Sequence, residues 1–184
     1  SEVEKGSTFW FTIQLGAIPE TRREEPRADE SLSSFHVLVI DDNTTQRVLF
    51  AKELSHYNCP YSLAATAASA MDYLTNMKNG AAPFQLVFID ESLPDMNGVA
   101  LAKLIRTIPE LAATKTILMT AGNKSIDEQV IAESGLLAVL KKPIHWRELY
   151  RYLIFVNSGM QEDWEAWKAP HSSIVDENEK LELY

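Results

Sequence analysis

Acidic, hydroxyl and basic side chains follow four short apolar runs of the sequence. The runs cover residues 37–40, 86–89, 116–119 and 136–140. The side chains that follow them are Asp41, Asp42, Asp90, Thr120, Lys141 and Lys142. If the runs are parallel strands, their carboxyl ends meet at one edge of a sheet, where ligands of such sheets bind. The pattern therefore predicts one shared site.

The residue types at these run ends are suited to phosphoryl chemistry. Three carboxylates at one edge repel each other unless a cation joins them, and Mg²⁺ prefers oxygen ligands of this kind. A nearby ammonium is a point charge suited to a phosphoryl oxygen, and a threonine hydroxyl can donate a hydrogen bond to another. One carboxylate is then available as the nucleophile.

Each segment also has a simpler interpretation when taken alone. Asp41 and Asp42 precede Asn43 and could cap a helix, and Asp90 could begin a polar turn over residues 94–98. A Lys-Lys-Pro sequence after a strand is usually solvated surface. Glu91 is charged and close to these residues, but nothing in the pattern assigns it a role. The simpler interpretations do not explain why suitable residue types recur at separate strand ends.

The elements that must position these residues alternate along the chain. The four apolar runs are continuous, as expected for strands covered on both faces, and Tyr61–Ala64 is a weaker candidate for an edge strand. The segments between them have apolar residues at helical spacing, and a fourth helix is predicted over 126–134 with Gly135 as its stop signal. Five strands alternating with five helices predict an α/β fold with a doubly wound parallel sheet.

Composition limits the classes of protein to consider. The chain has 184 residues and a net charge of -9, which argues against non-specific binding to nucleic acid. Its single cysteine, Cys59, excludes an internal disulfide and fits a reducing compartment. No apolar run approaches the ~20 residues of a membrane span. Residues 35–158 carry 12 acids and 11 bases, whereas residues 159–184 carry 7 acids and 2 bases.

Residues 35–156 resemble the receiver domain of two-component signalling. The resemblance rests on residues 37–43, 86–90, 93–98, 118–121 and 140–144. It rests also on the gaps of 30 residues from Asp90 to Thr120 and 22 from Thr120 to Lys142. It implies a flavodoxin-like fold with strand order 2-1-3-4-5 and a conformational switch controlled by phosphorylation.

The resemblance implies a Mg²⁺ site, or a Mn²⁺ site, at the acidic residues. Asp90 corresponds to the phosphoacceptor, which also binds the metal. Asp42 corresponds to the carboxylate that binds the metal directly, and Asp41 to the one that holds it, often through water. Ser92 corresponds to the position whose backbone carbonyl is a further metal ligand.

The remaining residues of the resemblance act on the phosphoryl group. Thr120 corresponds to the hydroxyl that turns toward this group on activation, and Lys142 to the lysine that pairs with one of its oxygens. Lys141 has the same charge but the wrong offset on a strand of period two. Val139 stands where the family often has a rotating aromatic residue, and Ser92 stands where Met or Asn is frequent. These departures bear on the coupling and on the lifetime of the phosphoryl group.

The flanking segments predict that the chain is a piece of a hybrid sensor histidine kinase. Residues 1–16 resemble the last strand of a histidine-kinase ATP-binding domain, 17–34 and 157–184 are predicted linkers, and 35–156 is the receiver domain. The glycines of the ATP lid and the phosphorylated histidine are absent from this sequence. We therefore expect it to catalyse only its own phosphoryl transfer and dephosphorylation, while the parent protein is a phosphotransferase.

The resemblance also implies partners and a location. The phosphoryl donor is expected to be the phosphohistidine domain of the same protein, and the next acceptor a histidine phosphotransfer domain or a further receiver. No contact with nucleic acid or membrane is expected of this segment. The expected location is cytoplasmic, with the parent protein anchored in the inner membrane.

Two alternative functions fit parts of the sequence. A docking module of the same fold, independent of phosphorylation, is favoured by Val139 but not by the complete set of polar residues. A phosphohydrolase of the haloacid dehalogenase type would use Asp41 as its nucleophile. That family has a second carboxylate two residues later, where this chain has Asn43, and no cap domain can be placed in this sequence.

Overall fold

Five parallel strands form one sheet in the computed structural model, which describes residues 30–75, 84–122 and 126–159 together with residues 10 and 12. The strands are β1 (His36–Ile40), β2 (Tyr61–Ala64), β3 (Phe84–Asp90), β4 (Lys115–Thr120) and β5 (Leu136–Lys141). Their order across the sheet is β2-β1-β3-β4-β5, and every neighbouring pair is parallel. The predicted flavodoxin-like fold is confirmed, with residues 61–64 at a sheet edge.

Helices follow the strands in the order that the spacing of apolar residues predicts. They are α1 (Thr44–His56), α2 (Ala67–Thr75), α3 (Gly98–Thr107), α4 (Glu128–Ser134) and α5 (Trp146–Asn157). Two short 3-10 helices, Glu30–Ser34 and Pro109–Leu111, precede β1 and β4. Within the described ranges, no helix has the length and apolar character needed to cross a membrane.

The α4 helix begins two residues later than its predicted start at residue 126. The Asp127 side chain accepts a hydrogen bond from the Gln129 backbone N–H at 2.9 Å and thereby caps the helix. The helix ends at Gly135, whose φ of 67° lies in the left-handed region that favours glycine. Gly135 is therefore the stop signal predicted from the sequence.

Two apolar cores cover the two faces of the sheet. In β1, Val37 and Val39 face the core under α1 and α5, while Leu38 and Ile40 face the core under α2 and α3. All four side chains are fully buried. The apolar runs are continuous because alternate residues enter different cores, and neither face of the central strands meets water.

Packed structure begins a few residues before the predicted receiver boundary at residue 35. Of the predicted linker 17–34, residues 17–29 lie outside the described residues. Its end, Glu30–Ser34, is a 3-10 helix whose Leu32 is fully buried in the core under α1 and α5. The predicted strand at 1–16 lies outside the described residues except for Trp10 and Thr12, which are exposed. The predicted C-terminal linker lies outside them beyond residue 159.

Candidate functional site

Three carboxylates converge at the carboxyl end of the sheet. Asp41 directly follows β1, and its N–H donates to the Ala64 carbonyl at 3.1 Å, which keeps the chain extended. Asp90 is the last residue of β3. One oxygen each of Asp41, Asp42 and Asp90 lies within 4.8 Å of the others. Asp41 is 0% exposed and Asp90 7%, whereas Asp42 is exposed to solvent.

Lys142 connects two of these carboxylates. Its Nζ lies 2.7 Å from Asp41 Oδ2 and 2.7 Å from Asp90 Oδ1. The Lys142 N–H donates to the Thr120 carbonyl at 2.8 Å, so the chain after β5 stays aligned with β4. The preceding Lys141 side chain is exposed. The ammonium therefore neutralises one charge of a buried acidic pair at the junction of β1, β3 and β5.

Two opposing effects act on the pKa of Lys142. Burial is the largest single influence and lowers the pKa, because it disfavours the charged ammonium. Hydrogen bonds and charge attraction from Asp41 and Asp90 act the other way, and together they raise the pKa above its usual value. Lys142 is therefore fully charged at neutral pH.

The carboxylates fit a hard divalent cation, with different roles for each. Both oxygens of Asp41 are engaged, Oδ1 by the Asn43 N–H at 2.9 Å and Oδ2 by Lys142. Asp90 uses one oxygen for Lys142. Among the described residues nothing donates a hydrogen bond to the Asp42 carboxylate. Asp42 and the second oxygen of Asp90 are thus the groups available to coordinate Mg²⁺ directly.

The loop after β3 closes beside these carboxylates. Ser92 is exposed and pairs with Asn97 in an isolated antiparallel bridge, while the Gly98 N–H donates to the Glu91 carbonyl at 2.9 Å. A Cβ on Gly98 would lie 2.3 Å from the Asp90 carbonyl oxygen, so only glycine permits this approach. The motif containing Gly98 was visible in the sequence, but its contact with the Asp90 backbone was not. The carbonyl role of Ser92 remains a prediction.

Thr120 lies at the predicted edge, but its hydroxyl is bonded to Glu91. Thr120 Oγ1 donates to Glu91 Oε2 and accepts from the Gly122 N–H at 3.1 Å. The sequence pattern gives Glu91 no role, because the position after a strand end does not indicate where the side chain turns. In this arrangement Glu91 holds the hydroxyl that the resemblance assigns to the phosphoryl group.

Arg47, which lies in α1, is a further residue of this site that the sequence pattern did not indicate. Its Nη1 donates to the carbonyl oxygens of Asp41 at 2.7 Å and Asp42 at 2.9 Å, and its Nη2 to Thr44 Oγ1 at 3.0 Å. The first helical turn has no acidic residue, although the helix dipole favours acids there. The sequence does place this cation near a helix start and close to two acidic residues, and that placement could have indicated a role for Arg47.

Asp95 contacts the start of α2, which the sequence pattern did not indicate. Its two carboxylate oxygens accept hydrogen bonds from the Ala67 and Ala68 N–H groups, both at 2.9 Å. These backbone hydrogen bonds, that from Ala68 first and that from Ala67 second, lower the pKa of Asp95. The loop after β3 thereby caps the start of α2.

Comparison with known proteins relates this geometry to a family. The sequence profile of the response regulator receiver domain matches residues 37–154. The histidine-protein kinase BarA of Escherichia coli K12 is 27% identical over 134 residues, and the sensor histidine kinase AruS of Pseudomonas aeruginosa is 30% identical over 155. These alignments cover 73% and 83% of this chain but only 14% and 15% of the relatives. The chain thus spans a small part of the curated relatives it matches.

Solved structures share the fold. A CheY-like receiver domain from Methanospirillum hungatei has a TM-score of 0.60 at 22% identity, covering 68% of this chain and 94% of that one. The receiver domain of Ssk1 from Saccharomyces cerevisiae, solved with the histidine phosphotransfer protein Ypd1, has a TM-score of 0.59 at 23% identity. That match covers 73% of this chain and 97% of the other.

Proposed function

The chain belongs to the response regulator receiver domain family, and from that premise we propose that Asp90 is its phosphoacceptor in a phosphorelay. The observation that carries the proposal is the Lys142 ammonium, which lies 2.7 Å from both Asp90 and Asp41 while Asp42 completes the acidic cluster. A receiver domain of two-component signalling works as a switch that phosphorylation controls. The arrangement supplies a nucleophile, a cation for the incoming oxygens and carboxylates for a metal.

The unpaired oxygen of Asp90 is the proposed nucleophile. Lys142 binds Oδ1, and no described residue donates a hydrogen bond to Oδ2. Attack of Oδ2 on a phosphohistidine forms the new P–O bond while the P–N electron pair returns to the imidazole. Lys142 stays close enough to pair with a phosphoryl oxygen, and Thr120 can donate to another once its hydroxyl leaves Glu91.

Mg²⁺ or Mn²⁺ is the proposed metal. Asp42 and Asp90 would bind it directly together with the Ser92 carbonyl, and Asp41 would hold it through water. When bound, the metal offsets the negative charge that builds on the transferred phosphoryl group. The chain's own residues orient the acceptor, because Asp41 and Lys142 fix one side of the Asp90 carboxylate.

The simplest test labels the full chain with acetyl phosphate and Mg²⁺ and maps the acid-labile adduct by mass spectrometry. We expect one phosphoryl group on Asp90, and none after Asp90→Asn, with the fold of the variant unchanged by circular dichroism. Labelling on Asp41 would instead support the phosphohydrolase. Persistent labelling of the Asp90→Asn variant would overturn the assignment.

Val139 favours one second candidate, a docking module that does not respond to phosphorylation. The side chain is partly buried and packs against the core under α2 and α3, in place of the aromatic residue frequent in the family. Absence of any adduct in the labelling experiment would favour this candidate over the phosphoacceptor.

The proposed phosphoryl donor is the phosphohistidine domain of a hybrid kinase, and the next acceptor a histidine phosphotransfer domain or a further receiver. The donor must reach Asp90, so it must contact the sheet edge and the adjoining start of α1. Val48 and Leu49 on α1 are 60% and 51% exposed there. We propose that the donor docks on Val48 and Leu49. We also propose that this takes place on the cytoplasmic side of a membrane-anchored parent protein.

Two phosphoryl donors separate the docking contact on α1 from the phosphoryl transfer itself, because only a protein donor needs the contact. With phosphorylated Ypd1 as the probe, Leu49→Glu should slow transfer strongly, whereas labelling by acetyl phosphate should be unchanged. Leu104→Glu on α3 is the matched control, since Leu104 is 38% exposed on another helix. Equal transfer to the Leu49 and Leu104 variants would remove α1 as the contact.

A further inference from the structure

One guanidinium group holds both peptide units that flank Asp42. Arg47 Nη1 donates to the Asp41 carbonyl oxygen, which belongs to the peptide before Asp42, and to the Asp42 carbonyl oxygen, which belongs to the peptide after it. The guanidinium is anchored in turn on Thr44 Oγ1 at 3.0 Å. The two peptide planes around the Asp42 Cα are therefore tied to one rigid, planar group.

The peptide between Asp42 and Asn43 is held from both ends. Its carbonyl oxygen accepts from Arg47, and its N–H donates to Asp41 Oδ1 at 2.9 Å. Because a trans peptide is planar, fixing its two polar ends fixes its orientation. With the preceding peptide also held by Arg47, the direction in which the Asp42 Cβ leaves the backbone is determined.

The Asp42 side chain has no comparable support of its own. None of the described residues donates to its carboxylate, although that group lies within 4.8 Å of the Asp41 and Asp90 carboxylates. Lys142 contacts those two and not Asp42. Charge repulsion and hydration both favour an Asp42 side chain that rotates away into solvent. The fixed direction of Cβ limits the positions that its carboxylate reaches in the staggered rotamers.

We propose that Arg47 is a positioning residue that holds Asp42 in place as a metal ligand through the backbone. The inference rests on the magnesium-dependent function proposed above. A positioning role and a simple charge effect predict opposite changes in metal affinity when Arg47 is replaced. Loss of a nearby cation should strengthen binding of a divalent metal by electrostatics alone, whereas loss of a positioning contact should weaken it.

The test measures Mn²⁺ binding to the full chain by electron paramagnetic resonance. We expect Arg47→Gln and Arg47→Lys each to raise the Mn²⁺ dissociation constant by about tenfold, as for other contacts behind a ligand. Lysine keeps the charge but cannot reproduce the fork of contacts. Lys52→Gln removes a charge from an exposed position on the same helix and should leave the constant unchanged.

Kinetics separate positioning from damage to the fold. At saturating Mn²⁺, labelling of the Arg47→Lys variant by acetyl phosphate should reach the wild-type rate, because only the metal requirement is raised. A lower rate at saturation, or a dissociation constant within about threefold of wild type in both variants, overturns the inference. If the wild-type chain binds no Mn²⁺, the proposed function fails instead.

Discussion

At the scale of single residues, the charges of the site do not cancel. Asp41, Asp42 and Asp90 contribute three negative charges, and Lys142 supplies one positive charge by direct contact. Asp41 is buried, and its two carboxylate oxygens accept hydrogen bonds from Lys142 and from the Asn43 N–H. The excess charge is concentrated at Asp42 and at the free oxygen of Asp90, where a cation and a phosphoryl donor would arrive.

Replacing Lys142 by methionine should destabilise the chain when no divalent metal is present. The substitution leaves two buried carboxylates without their cation, and breaking such a contact costs about 3 kcal/mol. Urea denaturation at neutral pH measures the loss. Adding Asp41→Asn should recover part of the stability, because it removes one of the unpaired charges. Strictly additive effects of the two substitutions would contradict direct coupling.

The raised pKa of Lys142 predicts the alkaline behaviour of the same contact. A pKa that is higher in the folded state gives stability that is fully present below the unfolded value of 10.5 and is lost as pH rises through the folded pKa. The stability difference between wild type and Lys142→Met should therefore be constant near neutrality and shrink above about pH 10.5. Urea titrations across that range measure it, and a difference that grows with pH would refute the contact.

Gly98→Ala tests the close approach to the Asp90 backbone. Alanine normally favours a helix, but its Cβ would lie 2.3 Å from the Asp90 carbonyl oxygen. We expect a net loss of about 2 kcal/mol, as for other overpacked sites, together with slower labelling of Asp90. Ala100→Gly is the control, because it changes helix propensity at an exposed position of the same helix. Equal labelling rates for the Gly98 variant and wild type would argue against a role of this contact in placing Asp90.

At the scale of elements, the loop and the helix that follow β3 contact the helices on either side of them. Asp95, in the loop after β3, caps α2 through two backbone N–H groups. Arg106 near the end of α3 donates to the Ala132 and Glu133 carbonyls at the end of α4, and Lys103 forms an ion pair with Glu133 at 3.2 Å. The loop and helix that follow β3 are thus tied to both α2 and α4.

Asp95→Ala should destabilise α2 in a pH-dependent manner. The pKa of Asp95 is lower in the folded chain than its usual value of 3.8. Its contribution is therefore complete above that value and disappears as pH falls through the folded pKa. Urea denaturation should show a wild-type advantage at pH 7 that diminishes at acid pH. A difference between wild type and Asp95→Ala that persists unchanged into acid would exclude the cap as its cause.

At the scale of the whole molecule, the apolar core includes a residue that precedes the family's matched region. Leu32 is fully buried in the core under α1 and α5, although the receiver profile begins at residue 37. The described structure thus adds a short segment to the shared fold and covers the end of the core with it.

Leu32→Ala measures how much this added segment contributes to the free energy of unfolding. Removing a fully buried leucine side chain typically costs about 3 kcal/mol, because a cavity replaces the contacts. Leu104→Ala, at a residue 38% exposed on α3, should cost much less. Thermal and urea denaturation of both variants provide the comparison. Equal losses would mean that the core closes without Leu32.

The sheet and the acidic cluster were predictable because they follow from local patterns. Continuous apolar runs identify buried parallel strands, and a polar residue after such a run must lie at the carboxyl edge. The contacts of Glu91, Arg47 and Asp95 were not predictable in this way. Asp95 reaches α2 across 27 and 28 positions, and such a contact depends on loop geometry that leaves no periodic signal.

The ammonium shared between β1 and β3 comes from the end of an outer strand. β5 is bordered by β4 alone, and Lys142 begins the short connection from β5 to α5. A change in the charge of Asp90 would therefore act on a contact that the edge of the sheet supplies. On the function proposed above, we expect phosphorylation of Asp90 to alter β5 and the chain that leads into α5, and a partner protein would read the change there.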